Sequence, residues 1–580
     1  MDNTAKKNQG GPASWFSALS AHPVLWKRMM LAVTLVVLIL FFVLPIVRLI
    51  WLSFTEDAVP TWQHYNEVLS DAGTWTVIQN TFWMVLGSTI MTLLLGVFMA
   101  WLITYSDIRA KQAIHVMVML PFIIPSYIIT LSWTQLFRDS SWFSGILQWL
   151  PGNLETPDLY TLPGMIFMLG LSNYPLVYLF TVAVLRKIPQ ELLSAARASG
   201  SGKWTVFRKI TLPLALPGIT GGGLLAFLAN LDNFGIPAFL GIPGNITVLS
   251  TAIYQEVVGF GPSAFARAAV LSVLLGVIAL LGTFLQWMLL RKSRELETAH
   301  EETGPRFRLG VWRFPAETAV WVALVFISFV PLSSMVSSSL LSAYGVDFSL
   351  ETITFSNYSY ILFENEKTQG AIGNSLMLAL WTAVTALIAG TILAYYRVRR
   401  PSTLTRSTEL ITGLPYALPG IVLALAMIFT WMEPIPGWNP GIYGSIGILM
   451  IAYITRFMIL QVRGSMTALM QVDISMEEAS HVFGAKGLIK WRKIMLPLLL
   501  PGLISGTMLV FLTSFTELTV SSLLMSAGNE TIGVTIFDFE QAGYTHYSTA
   551  FSTVVVVLML MVIGSLMLAH HLWKKKVVKT

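Results

Sequence analysis

Long apolar stretches alternate with short polar segments along almost the whole chain. A helix needs about 20 apolar residues to cross the ~30 Å hydrocarbon core of a bilayer, and twelve stretches reach that length. The first six lie at roughly 30–52, 82–104, 113–136, 161–185, 216–240 and 268–290. The second six lie at roughly 316–340, 372–396, 408–432, 443–463, 498–525 and 551–573. The pattern predicts an all-α integral membrane protein with twelve transmembrane helices in two sets of six.

The composition of the chain agrees with this prediction. Of the 580 residues, 55% are hydrophobic and 11% are charged, whereas soluble globular proteins contain roughly 25% charged residues. There is no cysteine, which excludes disulfides, thiolate metal sites and cysteine nucleophiles. The first apolar stretch is too long for a cleaved signal peptide, and no small-residue cleavage site follows it. We therefore interpret it as a retained membrane anchor.

Basic residues are concentrated in alternate connections between the predicted spans. Lysine and arginine favour the cytoplasmic side of short loops. They occur before span one, after spans two, four, six and eight, and after span twelve, whereas 53–79 and 526–548 contain acidic residues and neither lysine nor arginine. We therefore expect both termini to be cytoplasmic. The net charge of +6 and the pI near 9.2 follow from this distribution and are not interpreted as nucleic-acid binding.

A short signature occurs twice, 284 residues apart. The first copy contains Ser194-Ala195-Ala196, Gly200 and Ile210-Thr211-Leu212-Pro213, and the second contains Glu478-Ala479-Ser480, Gly484 and Ile494-Met495-Leu496-Pro497. Landmarks nearer the start of each set, such as Gly96 and Gly390, are displaced by 294 residues instead. The difference places an insertion in the first copy, most simply around 138–160.

The repeat divides the chain into two parallel copies of a six-span unit. The predicted segments are a cytoplasmic tail at 1–28, a first half at 29–293, a linker at 294–314 and a second half at 315–580. Two copies in the same orientation imply a pseudo-twofold axis along the membrane normal, with a pathway between them. The linker mixes acidic and basic residues, which is typical of a solvated cytoplasmic connection; a regulatory contact is the alternative.

Each copy of the signature predicts two short helices joined at a glycine. Residues 191–198 and 473–483 have helical character, and Gly200 and Gly484 suit the turn that ends many helices. A basic, aromatic-bearing helix then leads back to the membrane. The expected product is a knob on the cytoplasmic face. The alternative is an interfacial helix that only anchors the loop, and the matched spacing of two copies disfavours it.

The repeated signature resembles the cytoplasmic EAA loop of the membrane permeases of ATP-binding-cassette (ABC) importers. From residue 30 to residue 575 the chain resembles two type I permeases of this class fused head to tail, most like the ferric-iron importer permeases. The resemblance implies coupling helices at 194–204 and 478–488 that dock on two copies of an ATPase subunit. The residues that carry it are Ser194, Ala195, Ala196, Gly200, Glu478, Ala479, Ser480 and Gly484.

The same resemblance implies the other partners. It predicts a periplasmic solute-binding protein, a location in the bacterial inner membrane with the lipid bilayer around the spans, and ATP with Mg²⁺ bound by the partner ATPase subunits. It predicts no cofactor on this chain itself.

Two details of the first copy bear on this interpretation. Ser194 stands where the family motif has glutamate, and either Glu191 on the same helical face partly replaces it or the position has drifted. Gly202-Lys203 resembles the end of a phosphate-binding P-loop, but Arg197 stands where that motif needs glycine and Trp204 where it needs serine or threonine. We therefore expect no nucleotide site on this chain. We also expect no catalytic site, because no Ser/His/Asp or paired-carboxylate arrangement suggests one.

Four polar residues near the ends of spans five and eleven are candidates for the translocation path: Asp232, Asn233, Thr516 and Glu517. Ionisable residues inside a membrane are costly and are functional candidates for that reason. In type I importers these two spans line the path, so the resemblance implies that both carboxylates face it. The alternative is that each carboxylate bonds a neighbouring broken helix. Arg456 in span ten is expected to be paired or to reach the interface, and no metal site is assigned.

The solute is predicted from resemblance and from donor chemistry. Segments 515–521 and 233–237 resemble the corresponding segments of ferric-iron permeases, and oxygen donors suit a hard cation. The prediction is ferric iron; thiamine, 2-aminoethylphosphonate and sugar phosphates are alternatives with the same architecture. A secondary transporter, the alternative class, would need its own coupling-ion site and would need no docking loops.

Overall fold

The computed structural model describes residues 23–56, 59–149, 155–259, 261, 263–290, 304–343, 345–346, 349, 351–433, 440–485 and 487–579. Within these residues the chain is almost entirely helical. The strands in this part of the chain are β1 (Thr55–Glu56) and β2 (Val59–Pro60), which pair antiparallel. Most of the predicted tail and residues 294–303 of the predicted linker lie outside the described residues.

The described helices of the first half are numbered in chain order. They are α1 (Pro23–Leu38), α2 (Leu44–Ser53), α3 (Gln63–Ser70), α4 (Ala72–Tyr105), α5 (Lys111–Ile123), α6 (Ser126–Leu136), α7 (Trp142–Trp149), α8 (Leu162–Leu185), α9 (Gln190–Ala198), α10 (Lys203–Val206), α11 (Leu212–Asp232), α12 (Leu249–Val258) and α13 (Ala264–Leu290).

The second half follows the same plan. Its helices are α14 (Arg313–Ser339), α15 (Ser356–Ser359), α16 (Glu366–Arg399), α17 (Thr403–Ala417), α18 (Gly420–Trp431), α19 (Ile446–Met470), α20 (Ile474–Val482), α21 (Gly487–Lys490), α22 (Leu496–Phe515), α23 (Ser521–Leu524), α24 (Ile532–Gln541) and α25 (Thr545–Lys579). The insertion predicted around 138–160 lies between α6 and α8, where the first half carries α7.

The number of spans agrees with the hydropathy pattern. Ten described helices are long and apolar enough to cross a membrane, and two bent helix pairs bring the number to twelve if each pair is one span. The bent pairs are α5 with α6, at 98°, and α17 with α18, at 105°. Both bends precede a proline, Pro125 or Pro419, and the residue before each proline is extended. Proline excludes helical backbone from the residue before it and lacks an N–H to continue the helix.

Each half has a core of three packed helices. In the first half these are α4, α8 and α11, and in the second half they are α16, α19 and α22. The glycine landmarks of the repeat mark close crossings in both cores. A Cβ atom on Gly96 would lie 2.6 Å from the Cβ of Val177, and one on Gly390 would lie 3.1 Å from the Cγ of Gln461. Small residues at such points let membrane helices approach each other.

The first span of each half packs against the other half. Helix α2 contacts α18 of the second half, and α14 contacts α6 of the first half. Helices α6 and α18, which follow the two bends, are buried along nearly their whole length. Each is enclosed by its own half and by the first span of the other, so the two halves interlock.

Spans five and eleven begin and end earlier than the pattern predicts. The predicted ranges are 216–240 and 498–525, whereas the helices run continuously over Lys203–Asp232 and Gly487–Phe515. The separate helix predicted after each glycine is the start of the span itself. A π-helical turn, Phe207–Thr211 or Trp491–Met495, joins the two parts just before a proline whose missing N–H it accommodates.

The described end of the predicted linker is mostly exposed, but part of it contacts the first half. Arg306 is only 6% exposed. The backbone N–H groups of Arg306 and Phe307 donate to the carbonyl oxygen of Tyr105, at 2.7 and 3.1 Å, and the N–H of Leu309 donates to Asp107 Oδ1 at 2.9 Å. The mixed charge pattern does not indicate this one buried residue, because an arginine can be buried when its guanidinium is hydrogen-bonded.

Candidate functional site: two repeat loops and a central polar cluster

The two copies of the signature form loops of one design, which we call the first repeat loop (190–206) and the second repeat loop (474–490). Gly200 lies two residues after the end of α9 and has φ of +84°, and Gly484 lies two residues after the end of α20 and has φ of +78°. In the first loop Ser201 N–H donates to Ala196 O and Gly200 N–H to Arg197 O, both at 3.0 Å. The bond equivalent to Ser201–Ala196 is present in the second loop, where Ala485 N–H donates to Ser480 O at 2.9 Å. Such bonds with a left-handed glycine define a Schellman turn, so both predicted elbows are present.

The elbows expose most of the signature residues and several large apolar side chains. Ser194, Ala195, Glu478 and Ala479 are exposed, Ala196 is half-buried, and Ser480 is buried with its hydroxyl donating to the carbonyl oxygen of Glu477 at 2.6 Å. The large exposed apolar residues are Leu192 and Trp204 in the first loop and Ile474, Met476, Val482, Phe483, Leu488 and Ile489 in the second. The predicted Glu478 thus faces outward.

The buried carboxylate of the second repeat loop is Glu477, one residue before the glutamate of the motif. Its oxygens lie 2.5 Å from Arg399 Nε and 3.1 Å from Lys490 Nζ, and the hydroxyl of Tyr395 donates to it at 3.2 Å. Arg399 also donates to the carbonyl oxygen of Val472 at 2.7 Å. This ion cluster joins the end of span eight to both arms of the loop. The only sign of this cluster in the sequence is a pair of adjacent glutamates on one short helix, Glu477 and Glu478, which cannot both face inward.

The cluster fixes the ionisation of Glu477. Burial alone would raise the pKa of this carboxyl, but hydrogen bonds and positive charge from Arg399 and Lys490 outweigh burial and hold the pKa below its usual 4.5. A carboxyl whose pKa is lowered by folding adds stability above its unfolded pKa, and this stability is lost as the pH falls through the folded pKa. The cluster therefore stabilises the loop at neutral pH and fails only in acid below about pH 4.5.

The first repeat loop has no counterpart of this ion cluster. By the repeat offsets, Leu193 replaces Glu477, Val206 replaces Lys490, and Trp101 and Tyr105 replace Tyr395 and Arg399. Leu193, Val206 and Tyr105 are buried together in one apolar cluster. Glu191 is exposed and does not occupy this position. Position 194 corresponds to the outward-facing Glu478, not to the buried Glu477. The serine at 194 therefore does not explain why the first loop lacks the buried carboxylate.

The candidate path residue Asp232 joins the two halves. Its Oδ2 lies 2.6 Å from Arg456 Nη2, and its Oδ1 accepts from the backbone N–H of Gly420 at 2.5 Å. Gly420 is the first residue of α18, so Asp232 of the first half caps a broken span of the second half. The side chain of Arg456 is 6% exposed and that of Asp232 is 34% exposed. Arg456 is paired, as expected.

Asn233 and Glu517 are structural counterparts, rather than Asp232 and Glu517. Asn233 Oδ1 accepts from the N–H of Ile236 at 2.9 Å, and Glu517 Oε1 accepts from the N–H of Val520 at 2.8 Å, three residues ahead in both cases. Glu517 also accepts from the N–H and hydroxyl of Ser521 at 3.1 and 2.9 Å. Thr516 is half-buried and its hydroxyl donates to Leu512 O at 3.1 Å. The side chains of Asn233 and Glu517 therefore accept hydrogen bonds from backbone N–H groups just beyond the ends of spans five and eleven.

These contacts agree with the alternative that Asp232 and Glu517 each bond a neighbouring broken helix. Each bonds a neighbouring helix start, and whether either also faces the path stays a prediction. The segments that carry them do meet, since a Cβ atom on Gly235 would lie 3.6 Å from Leu518 Cδ2. Among the described residues no group of three or more His, Asp or Glu side chains is placed to hold a metal ion.

The fold and the paired loops define a class of protein, a multi-pass membrane permease built from two equivalent halves. A profile of the family described as "Binding-protein-dependent transport system inner membrane component" matches residues 92–294 and 386–577, one match in each half. The chain belongs to this family and is a permease of the binding-protein-dependent ABC importer type.

Individual relatives are distant but cover much of the chain. The "Probable ABC transporter permease protein y4fN" of Sinorhizobium fredii is 25% identical over 467 residues, covering 79% of this chain and 81% of the relative. The "Ferric transport system permease protein FbpB" of Actinobacillus pleuropneumoniae is 24% identical over 540 residues, covering 91% and 76%. The "Molybdenum transport system permease protein ModB" of Escherichia coli is 30% identical over 212 residues, covering 36% and 90%.

We predict that Glu477→Gln loosens the second repeat loop and that Glu478→Gln does not. Loss of the Glu477 charge leaves Arg399 and Lys490 largely buried without a carboxylate, at a cost of about 3 kcal/mol. Hydrogen exchange of the α20 amides in the purified full chain should accelerate in Glu477→Gln alone. Equal exchange in the two variants would contradict the assignment of Glu477 as the structural glutamate.

Proposed function

We propose that the chain forms the complete translocation pathway of an ATP-driven importer. Two ATPase subunits dock on the two repeat loops, and a periplasmic binding protein delivers solute to the opposite face. The observation that carries the proposal is the exposed apolar surface of the loops, where Phe483 and Leu488 are 89% and 83% exposed. Large apolar side chains clustered on a loop mark an interaction surface. Because the loop design occurs twice, it suits two copies of one partner.

ATP hydrolysis belongs to the partner subunits in this proposal. The segment that resembles a P-loop, 200–205, is the elbow of the first repeat loop. A P-loop cradles phosphate with successive free N–H groups, whereas those of Gly200 and Ser201 bond the preceding helix. We therefore assign no nucleotide site or catalytic step to this chain. The energy of ATP must reach it through movement of the loops.

The path runs between the two halves. Parallel repeats about a shared axis open alternately to either side when one half rocks against the other. The Asp232–Arg456 pair joins the halves, and Asp232 is more accessible to solvent than Glu517, the other carboxylate near the ends of these spans. The pair is therefore placed to break and re-form as the path opens.

The orientation follows from the charge distribution. The repeat loops and both termini face the cytoplasm, and the acidic segments 53–79 and 526–548 face outward. In a bacterial inner membrane this directs the ATPase subunits and the binding protein to opposite sides of the chain.

The proposed solute is ferric iron or a small chelate of it. Relatives whose names specify ferric transport cover 81 to 91% of this chain, whereas the relatives named for maltodextrin and molybdenum cover 36 or 37%. Asp232, Asn233, Thr516 and Glu517 offer oxygen and amide groups of the kind hard cations prefer. Thiamine, 2-aminoethylphosphonate and sugar phosphates remain the alternatives within the same importer.

We predict that cells carrying the whole system take up labelled ferric iron in an ATP-dependent way. Glu517→Gln keeps an acceptor for the Val520 N–H and removes the charge, so uptake should fall several-fold while the complex stays assembled. Thr513→Val, at a half-buried position of α22 whose hydroxyl donates to the carbonyl oxygens of its own helix, is the control and should leave uptake unchanged. If deletion of the transporter leaves iron uptake intact but abolishes growth on 2-aminoethylphosphonate, thiamine or a hexose phosphate, the iron assignment is wrong and the importer assignment stands.

We predict that Gly484→Val releases the ATPase subunit. A β-branched residue at φ of +78° is strained by at least about 1–2 kcal/mol, and an added Cβ meets nothing within 4 Å, so the effect is on backbone conformation alone. Co-purification of the ATPase with the membrane-inserted variant should decrease, and Gly200→Val should be milder if the first loop is the weaker contact. Gly564→Val, at an exposed helical site, is the control. Normal co-purification and transport in Gly484→Val would refute docking at this elbow, and a secondary transporter would bring down no ATPase at all.

A further inference from the structure

In each half an arginine donates a hydrogen bond to the backbone carbonyl in the turn before the repeat loop. The two arginines come from different parts of the chain. In the second half, Arg399 at the end of span eight donates to the carbonyl oxygen of Val472 at 2.7 Å. Val472 lies in the turn that leads from span ten into the loop. This bond and the ion pair to Glu477 fix the position of α20.

The equivalent turn of the first half receives its arginine from the segment between the halves. By the repeat offset, Ile188 corresponds to Val472, and its carbonyl oxygen accepts from Arg306 Nη2 at 2.7 Å. The equivalent of Arg399 is Tyr105, and the guanidinium carbon of Arg306 lies 5.5 Å from the centre of the Tyr105 ring. The arginine thus occupies the same place although it is 201 positions further along the chain than Tyr105.

Neighbouring contacts hold the segment that carries Arg306. The ring of Phe307 lies 5.2 Å from that of Trp101, and Arg197 of α9 donates to the carbonyl oxygen of Arg306 at 3.4 Å. Residues 304–309 therefore touch the end of span two and the helix of the first repeat loop. At their other end they lead directly into span seven of the second half.

We propose that residues 304–309 are a clamp and that Arg306 is the positioning residue of the first repeat loop. The segment leads directly into span seven of the second half and fixes a loop of the first half. The two loops are consequently unequal, since one is held by an ion cluster within its own half and the other by a residue supplied across the halves. The positioning claim is independent of solute and of ATP, and only its consequence for transport rests on the proposed function.

The test compares spin labels at two equivalent positions of the cysteine-free full chain in lipid, without partner subunits. Ser199 and Phe483 are the exposed residues directly after α9 and α20. Arg306→Ala should raise label mobility at position 199 and leave position 483 unchanged, and Arg399→Ala should do the reverse. Arg308→Ala, at an exposed neighbour in the same segment, is the matched control and should change neither.

A rescue variant separates positioning from a general loss of folding. Tyr105→Arg in the Arg306→Ala background supplies a guanidinium from the position that Arg399 holds in the second half, and it should reverse at least half of the mobility increase at position 199. Unchanged mobility at position 199 in Arg306→Ala, equal increases at both labels, or failure of the rescue would overturn the proposal. If the label at position 199 responds but ATP-dependent uptake does not, the clamp stands and the proposed role of the first loop in transport is wrong.

Discussion

Hydrocarbon offers no hydrogen-bond partner to a broken helix, and this constraint decides what lies between the two halves. Spans three and nine break before Pro125 and Pro419. The helices of spans five and eleven end at Asp232 and Phe515. Backbone N–H groups freed inside a membrane protein must be bonded by the protein. Three side chains near the ends of spans five and eleven do this: Asp232 for Gly420, Asn233 for Ile236, and Glu517 for Val520 and Ser521. A polar centre is therefore a requirement of this fold before it is a feature of any transport path.

Two kinds of contact then join the halves. The first spans cross over and enclose α6 and α18, in an extended interlock that is mainly apolar and includes the Arg48–Glu433 ion pair at its edge. The Asp232–Arg456 pair is polar, partly accessible and confined to one point. A permease must hold its halves together while they move, and this division of contacts meets that demand. The repeat loops lie at the ends of the same cores, so movement of a loop is transmitted to span five or eleven as one continuous helix.

The sequence predicts the parts of this structure that depend on local pattern. Span length and hydropathy give the twelve spans, and the spacing around Gly200 and Gly484 gives the elbows, because positive φ favours glycine. Contacts between distant positions are not predictable in this way. The motif singles out Glu478 but not its buried neighbour Glu477, since helix orientation decides which faces inward. Asp232 reaches Gly420 across 188 positions, and Arg306 comes from a segment whose charge pattern indicates a solvated linker.

The claim that a side-chain cap and ion pair join the halves is tested most directly by a double-mutant cycle on Asp232 and Arg456. Asp232→Asn keeps an acceptor for the Gly420 N–H, Arg456→Met removes the buried charge, and unfolding of the purified full chain is measured for both single variants and the double variant. The pair should show a coupling energy of about 1–3 kcal/mol, with the double variant losing less stability than the sum of the single variants, because Arg456 is no longer left without its carboxylate. Additive losses would show that the two residues act independently and would contradict the assignment of this pair as a polar contact that joins the halves.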